Sequence, residues 1–190
     1  MSLFKNIHNE HFRKKFKKSC KDLRFHPDTS IFTYSTIVIG KNVFINKGAY
    51  FSGEILIGDN VMIGPDVFIT SSDHDYRIVG QYMNQQKRVI SQKVIIDDDC
   101  WIGAKSFINR GVHIYEGALV GGASVVTKDV PPYTLFLGSP GEPVKLRYTD
   151  DELREHYRLL NRSSEEADKM ISLRHLMLLS KGLGNLLYDK

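Results

Sequence analysis

The sequence of 190 residues lacks any apolar run close to the ~20 residues that a membrane-spanning helix needs, so we predict no transmembrane segment. Its opening stretch, MSLFKNIHNEHFRKKFKKSCK, lacks the apolar core and the small-residue cleavage site of a signal peptide. The chain has only two cysteines, Cys20 and Cys100, which lie far apart. Without an export signal, we expect a cytoplasmic protein whose cysteines are free thiols.

The excess of positive charge is confined to the N-terminus. Residues 1–24 carry eight Lys or Arg residues against Glu10 and Asp22, whereas the whole chain has a net charge of only +4. The remainder is therefore slightly acidic. This distribution describes a near-neutral body with a basic arm and argues against a nucleic-acid-binding protein.

The basic arm also has a helical pattern. Aromatic residues recur at a spacing of four, at Phe4, His8, Phe12 and Phe16, with Ile7 beside them. This spacing predicts one helical stripe with basic residues on the other faces. Two interpretations stay open: the helix packs on the rest of the chain or on a neighbouring subunit, or it rests on an anionic membrane surface.

The middle of the chain repeats every six residues. The repeated position holds Ile or Val in eleven of twelve cases: Ile39, Ile45, Phe51, Ile57, Ile63, Ile69, Ile96, Ile102, Ile108, Ile114, Val120 and Val126. Neither an α-helix nor a simple strand has this period. The repeat predicts an all-β fold, a parallel β-helix of about four triangular coils with a partial coil in front. The residue after the repeated position is often glycine, as at Gly40, Gly58 and Gly64, which suits corners with a positive φ.

The period is interrupted between Ile69 and Ile96, which lie 27 residues apart. That distance is not a multiple of six, so we predict an external loop at about 71–93 that leaves the stack of coils undisturbed. The interruption begins with ITSSDHDYR, which puts His74 where the coil gives way to the loop. The loop side chains that could wall a polar pocket for the substrate are Tyr76, Tyr82, Met83 and Arg88.

Three stretches resemble the hexapeptide-repeat acyltransferases, in particular the galactoside, maltose and surface-polysaccharide O-acetyltransferases. They are IGDNVMIGPDVFI, CWIGAKSFINRGVHIYEGALVGGASVVTKDVPP and LGSPGEPVKLR, and the resemblance covers roughly residues 31–147. It implies a left-handed β-helix, acetyl-CoA as co-substrate without a metal, and a homotrimer with active sites between subunits. We therefore expect a basic helical arm at 1–24, a catalytic β-helix at 25–147 and a helical extension at 148–190.

The resemblance implies that His74 is the catalytic base. Imidazole titrates near pH ~6.5, so it can take the proton of an acceptor hydroxyl and then release it. Asp73 or Asp75 would orient the ring, unless a backbone carbonyl does so. Considered alone, SSDHDY is more typical of a solvated turn histidine. Its place between two blocks of the repeat favours the catalytic role.

The second block of the repeat supplies the expected coenzyme groove. The resemblance implies that Trp101 lines the active site and that the residue after Gly103, Ala104, offers a backbone N–H to the thioester. In this arrangement Gly122 leaves room for the pantetheine arm, and Thr127 and Lys128 lie toward the phosphates and adenine. Lys145 and Arg147, near the end of the coils, are natural partners for a 3′-phosphate, unless Lys128, Lys145 and Arg147 are ordinary surface charge. One departure is Glu142, which stands where the family often has a basic residue.

Other candidate groups have simpler explanations. Cys100 falls on an inward position of the repeat, which predicts a buried, unreactive thiol. The run Asp97 to Asp99 predicts a solvated corner rather than a cation site. After Arg147, the sequences TDDE and SSEE are capping boxes that predict helices at about 150–162 and 164–181.

The sequence thus predicts transfer of an acetyl group from acetyl-CoA to a hydroxyl of a sugar or a surface polysaccharide precursor. The stretch YFSGEIL lacks the Asn and Asp of galactoside-type members, so neither galactoside nor maltose is favoured as acceptor. One alternative is an N-acetyltransferase of amino-sugar nucleotides, and another is a non-enzymatic trimeric scaffold. A hexapeptide-repeat carbonic anhydrase needs three histidines on Zn²⁺, and the repeat region holds only His74 and His113.

Overall fold

The computed structural model describes residues 3–86 and 91–188, with side chains from Ile7 onward. Predictions on Phe4 and Arg88 therefore fall outside the described side chains. The described chain forms short strands flanked by three α-helices. These are α1 (Leu3–Arg13), β1 (Ile31–Phe32), β2 (Ile37–Ile39), β3 (Phe44–Ile45), β4 (Tyr50–Ser52), β5 (Ile55–Ile57), β6 (Met62–Ile63), β7 (Phe68–Thr70), β8 (Val94–Ile96), β9 (Trp101–Ile102), β10 (Phe107–Ile108), β11 (His113–Ile114), β12 (Leu119–Val120), β13 (Val125–Val126), β14 (Thr134–Gly138), β15 (Gly141–Leu146), α2 (Asp150–Leu159) and α3 (Ser164–Ser180).

The strands stack into three parallel sheets, one on each side of a triangular β-helix. Face 1 is the stack β1-β4-β7-β10-β13, face 2 is β2-β5-β8-β11, and face 3 is β3-β6-β9-β12-β14. The strand β15 pairs antiparallel with β14 and ends face 3. The predicted parallel β-helix is therefore confirmed, and the architecture is consistent with the left-handed type that the resemblance implied.

Aliphatic side chains fill the inside of the coils. All twelve repeated positions are at most 3% exposed, from Ile39 to Val126. β-branched residues suit this stack because their side chains pack well on a pleated surface. The six-residue period thus identified the core residues correctly.

The glycines of the repeat have a different role from the predicted one. A positive φ occurs three residues after the repeated position, as at Asn42, Asn60 and Asp66, and not at the glycine that directly follows it. At Gly103, an added Cβ would come within 2.5 Å of the Gly122 nitrogen in the next coil. The glycines are therefore required because neighbouring coils approach closely at the corners.

The N-terminal segment closes one end of the β-helix. Lys18 pairs with Val38 and Arg24 with Phe44 through isolated parallel bridges, which extends two faces by one level. The helix α1 ends at Arg13, so the predicted stripe does not continue to Phe16. Phe16 is instead buried against the first coil.

The helical extension packs on the other end. Both predicted capping boxes are present, Thr149 with Glu152 and Ser163 with Glu166. Helix α2 ends at Leu159, earlier than predicted, and Asn161 has a positive φ of 56°. Across the residues that the structure describes, no helix combines the length and the apolar character needed to cross a bilayer.

A buried polar cluster fixes these helices to the coils. The carboxylate of Glu116, at a coil corner, accepts hydrogen bonds from the hydroxyls of Tyr133 and Tyr157, both at 2.8 Å, and pairs with Arg162. On α3, the fully buried Arg174 donates to the Asp150 carboxylate at 2.6 Å and to the Tyr148 carbonyl at 2.9 Å. The extension is thus held by ion pairs and aromatic residues in addition to aliphatic contacts.

Candidate active site

The interruption of the repeat is a closed loop at the corner between faces 1 and 2. The strands stop at Thr70 and resume at Val94. The buried Ser71 ties the two ends together, since its carbonyl accepts from the Gln92 N–H at 2.8 Å and its hydroxyl lies 2.7 Å from that of Ser91. The loop therefore leaves and re-enters the stack at neighbouring points, without displacing the coils.

His74 lies in a shallow cleft at the base of this loop. The cleft has a volume of about 130 Å³ and is lined by Tyr50, Ser52, Phe68, Thr70, Ser72, Asp73 and His74. The His74 side chain is exposed, and its ring has no hydrogen-bond partner among the described residues. The hydroxyl lining escaped the sequence analysis, although Ser52 and Thr70 occupy paired positions on adjacent strands. A free imidazole beside hydroxyl groups is an arrangement that can accept a proton from a polar substrate.

Neither neighbouring aspartate contacts the imidazole. The Asp73 carboxylate accepts the backbone N–H of His74 at 2.8 Å. The Asp75 carboxylate accepts the backbone N–H of Arg77 at 3.0 Å, and this bond lowers the pKa of Asp75. In the single chain both carboxylates shape the turn that presents His74, so the predicted orienting contact is absent among the described residues.

An aromatic column forms the wall of the cleft on face 1. The Tyr50 and Phe68 rings stack with centroids 4.4 Å apart, and Phe68 stacks on Phe107 at 5.0 Å. Face 1 therefore presents ring edges and hydroxyl groups side by side next to His74.

The loop beyond His74 is pinned by one buried side chain. The Gln86 carboxamide accepts from the Ile78 N–H at 3.1 Å and donates to the Gln81 carbonyl at 3.2 Å. The predicted substrate residues Tyr76, Tyr82 and Met83 point outward, with exposures of 63%, 79% and 59%. The single chain does not bring them into the His74 cleft.

Four of the predicted coenzyme residues, Trp101, Gly103, Ala104 and Gly122, lie around the corner between faces 3 and 1, whereas Thr127 and Lys128 follow β13 at the corner between faces 1 and 2. Trp101 is half exposed on the outside of face 3, between Met62 and Leu119 on adjacent strands. The N–H of Ala104 has no acceptor among the described residues, whereas its carbonyl accepts from Ala123 at 2.8 Å. An added Cβ on Gly122 would lie 3.2 Å from the Ala104 carbonyl oxygen. This corner is therefore a strip with no side chain larger than a methyl group at Gly103, Ala104 and Gly122, and with an available amide donor.

The three basic residues predicted to bind the coenzyme differ in exposure and in their ion pairs. Lys145 is exposed on β15, and Lys128 forms an ion pair with Glu142. Arg147 donates from one guanidinium nitrogen to the Asp99 carboxylate at 2.8 Å and to the Gly117 carbonyl at 3.0 Å. It thus has structural contacts in the single chain, and its contact with the coenzyme stays a prediction. The sequence offered no signal for the contact with Asp99, which is 48 residues away.

Cys100 and the aspartate run have structural roles. Cys100 is buried, as predicted, and burial raises the pKa of its thiol. Asp97 lies 2.9 Å from Nε2 of His113, while Asp98 accepts the Asp59 N–H at 2.7 Å. In the described part of the chain, no three acidic, histidine or cysteine side chains cluster as a metal site.

His74 and the strip at Ala104 and Gly122 occupy opposite edges of face 1. His74 follows β7 at the edge toward face 2, whereas Ala104 and Gly122 precede β10 and β13 at the edge toward face 3. The residues that line the His74 cleft include none of the predicted coenzyme residues. Within one chain the two groups of candidate residues are therefore separate.

Comparison with known proteins identifies the repeat. Residues 36–71 match the family "Bacterial transferase hexapeptide (six repeats)", and residues 93–128 match "Hexapeptide repeat of succinyl-transferase". The galactoside O-acetyltransferase of Escherichia coli is 32% identical over 129 residues, which are 66% of this chain and 61% of that protein. The alignment covers 51% of the length of the first curated relative and 61% of the length of the Escherichia coli protein.

Solved structures extend the likeness over most of the chain. A hexapeptide-repeat acetyltransferase from Vibrio cholerae is 32% identical with a TM-score of 0.68, and the alignment covers 78% of this chain and 84% of the other. A maltose O-acetyltransferase from Clostridium difficile is 30% identical with a TM-score of 0.70, covering 78% and 79%. With the repeat, the interrupting loop and this similarity in place, the chain belongs to the hexapeptide-repeat acetyltransferase family, in the branch of the sugar O-acetyltransferases.

Proposed function

We propose that this protein transfers an acetyl group from acetyl-CoA to a hydroxyl of a sugar or of a surface polysaccharide precursor, with His74 as general base. The observation that carries this proposal is the unpartnered His74 ring in a cleft lined by hydroxyl groups and aromatic edges. Serine and threonine hydroxyls can exchange hydrogen bonds with a polyol, and aromatic side chains can contact its apolar C–H groups.

The reaction needs no covalent enzyme intermediate, because a thioester is already activated. His74 would take the proton from the acceptor hydroxyl as its oxygen bonds to the acetyl carbonyl carbon. The Ala104 N–H, which lacks an acceptor among the described residues, would stabilise the oxyanion that develops. When the carbon–sulfur bond breaks, the imidazolium of His74 would return the proton to the departing thiolate.

The corner at Ala104 fits a pantetheine arm. The strip formed by Gly103, Ala104 and Gly122 carries no side chain larger than a methyl group, so an extended chain can lie close to the backbone. The Vibrio cholerae relative has been solved in complex with acetyl-CoA, and a galactoside acetyltransferase at 25% identity with coenzyme A. These relatives support acetyl-CoA as the co-substrate here.

The separation of the two groups of candidate residues supports an oligomer. His74 and Ala104 lie at opposite edges of face 1, which favours an acceptor held between two chains. In a homotrimer, the His74 cleft of one subunit would face the Ala104 corner of the next, which gives three complete sites. Closed rings of identical subunits use such head-to-tail contacts.

The basic arm supports an acceptor at a membrane surface. Lys14, Lys15, Lys17 and Lys18 are exposed at the end of the β-helix, and a cluster of basic residues is attracted to anionic lipids. A cytoplasmic enzyme held at the inner face of the membrane would meet lipid-linked glycan precursors there. Cosedimentation with vesicles containing anionic lipid, with neutral vesicles as control, tests this association.

The direct test measures release of coenzyme A from acetyl-CoA with pooled sugar acceptors. Wild type, His74→Ala and His11→Ala are compared, since His11 is an exposed histidine of α1 outside the cleft. We expect acceptor-dependent release that His74→Ala lowers by roughly 10²–10⁴-fold and His11→Ala leaves unchanged.

Other outcomes would favour the alternatives. Release with amino sugars that survives His74→Ala would indicate N-acetylation, because a free amine needs less help from a base. If the protein neither releases coenzyme A nor binds it, the enzymatic proposal is overturned and a scaffold is favoured.

A further inference from the structure

The C-terminal extension delivers a lysine to the far end of the predicted coenzyme groove. Lys181 directly follows α3, and its ammonium group donates to the Asp129 carbonyl at 2.8 Å. The 3₁₀ turn at Gly184–Leu187 packs on β15 and so keeps this end of the extension against the β14–β15 hairpin. Lys181 is half-buried there.

Lys181 lies near Lys128, because it donates to the carbonyl of the next residue, Asp129. Burial is the main cause that lowers the pKa of Lys181, and the positive charge of Lys128 lowers it further. Lys128 pairs with the Glu142 carboxylate, and Glu142 also acts on Lys181 through its charge. Two ammonium groups therefore lie near one carboxylate at the surface of the hairpin, and only that of Lys128 is paired with it.

The ammonium group of Lys181 retains donor capacity. An ammonium carries three N–H donors, and among the described residues that of Lys181 contacts only the Asp129 carbonyl. Holding two like charges together at a partly buried position is unfavourable unless an anion joins them. The arrangement is therefore suited to a multiply charged anion.

We propose that Lys181 joins Lys128 to bind the 3′-phosphate of coenzyme A, and that Glu142 occupies the anion position until the coenzyme arrives. The inference rests on the proposed function. Lys128 follows β13, the strand that Gly122 precedes. The lysine pair therefore lies in the same coil as the Gly122 end of the pantetheine strip, at the opposite edge of face 1. Of the coenzyme's phosphates, the 3′-monoester can carry two negative charges, which match two ammonium groups.

The roles of the three residues predict opposite effects. Lys181→Gln removes one ammonium group and should weaken binding. Glu142→Gln removes the competing carboxylate and should strengthen it, because Lys128 then has no partner to exchange. If Lys181 only ties α3 to Asp129, the effect of Lys181→Gln on binding would not depend on the 3′-phosphate. Glu142→Gln would then not strengthen the binding of coenzyme A.

Isothermal titration calorimetry with coenzyme A and with 3′-dephospho-coenzyme A tests the inference. The variants are Lys181→Gln, Glu142→Gln and the control Lys169→Gln, which removes an exposed lysine from the same helix. We expect Lys181→Gln to raise the Kd for coenzyme A by about tenfold and that for the dephospho form by less than about twofold. Glu142→Gln should lower the Kd for coenzyme A, and Lys169→Gln should change neither.

The contrary results are distinct. Equal weakening of both ligands by Lys181→Gln, or no weakening, would overturn the inference while leaving acetyl transfer intact. Wild-type protein that binds neither ligand would overturn the proposed function, and the inference with it. Circular dichroism melting of each variant shows whether a loss of binding reflects unfolding, and Lys181→Arg should restore part of the discrimination because it restores the charge.

Discussion

The coils and the loop that interrupts them differ in what their side chains do. In the coils, Ile69 and Ile96 on either side of the interruption are at most 1% exposed. In the loop between them, Val79 is 98% exposed. Among described residues 72–86, Gln86 is the one buried side chain. Stability therefore resides in the coils, while the loop is free to vary and to carry the proposed chemistry.

The largest loss of stability is expected from a substitution in the core of the coils. Ile69→Ala removes a fully buried side chain and should lower the free energy of unfolding by roughly 2–5 kcal/mol, since the rigid stack cannot collapse into the cavity. The matched loop variant Val79→Ala should change it by less than about 0.5 kcal/mol. Chemical denaturation of both proteins checks this, and equal effects would contradict the division.

The next prediction concerns the corners. Gly103→Ala places a methyl group within 2.5 Å of the Gly122 backbone, so adjacent coils must shift. We expect a loss of about 1–3 kcal/mol, measured by denaturation. Gly80→Ala in the loop is the control for removing a glycine, because open space surrounds Gly80, although its φ of +84° adds some strain of its own. A smaller loss at Gly103 than at Gly80 would argue against close approach of the coils as the reason for the glycine.

A smaller and local effect should follow in the loop. Gln86→Ala removes the carboxamide that bonds to Ile78 and Gln81. The unfolding midpoint should hardly change, while the amide hydrogen of Ile78 should exchange faster by roughly a factor of ten, since it loses its acceptor. Gln85→Ala, at an exposed neighbour, is the control. Faster exchange throughout the coils would mean that the loop supports the scaffold after all.

The smallest effect concerns acid and the helical extension. Burial alone would raise the pKa of Asp150, but hydrogen bonds and charge from Arg174 and His175 bring it below its ordinary value of 3.8. A lowered carboxyl pKa contributes stability that is present above the ordinary value and is lost as the pH falls through the folded pKa. The melting temperatures of wild type and Asp150→Asn should therefore converge as the pH falls below about 4. A constant difference would exclude this contribution.

The sequence predicted the coils well because their signal is local and repeated. Each buried residue recurs at a fixed spacing, and the loop is visible where the spacing fails. The reason for the glycines could not be read from the sequence, because Gly103 meets Gly122 only after the coils stack. Spacing along the chain does not show which residues become neighbours across coils.

The candidate site was predicted in part for the same reason. His74 was singled out as a candidate because it stands at the interruption. The engagement of Arg147 with Asp99 and the approach of Lys181 to Asp129 join residues 48 and 52 positions apart. Such contacts depend on how the extension packs on the coils, which no local pattern describes.

The most direct test of the account is complementation between two inactive variants. His74→Ala removes the proposed base, and Gly122→Val obstructs the corner at Gly103, Ala104 and Gly122. They are co-expressed with different tags, and mixed oligomers are isolated by tandem purification and assayed for acetyl transfer. We predict that each variant alone is inactive and that mixed trimers recover about one third of the wild-type sites, since one interface pairs an intact cleft with an intact corner. Mixed oligomers that form but remain inactive would contradict an active site shared between subunits.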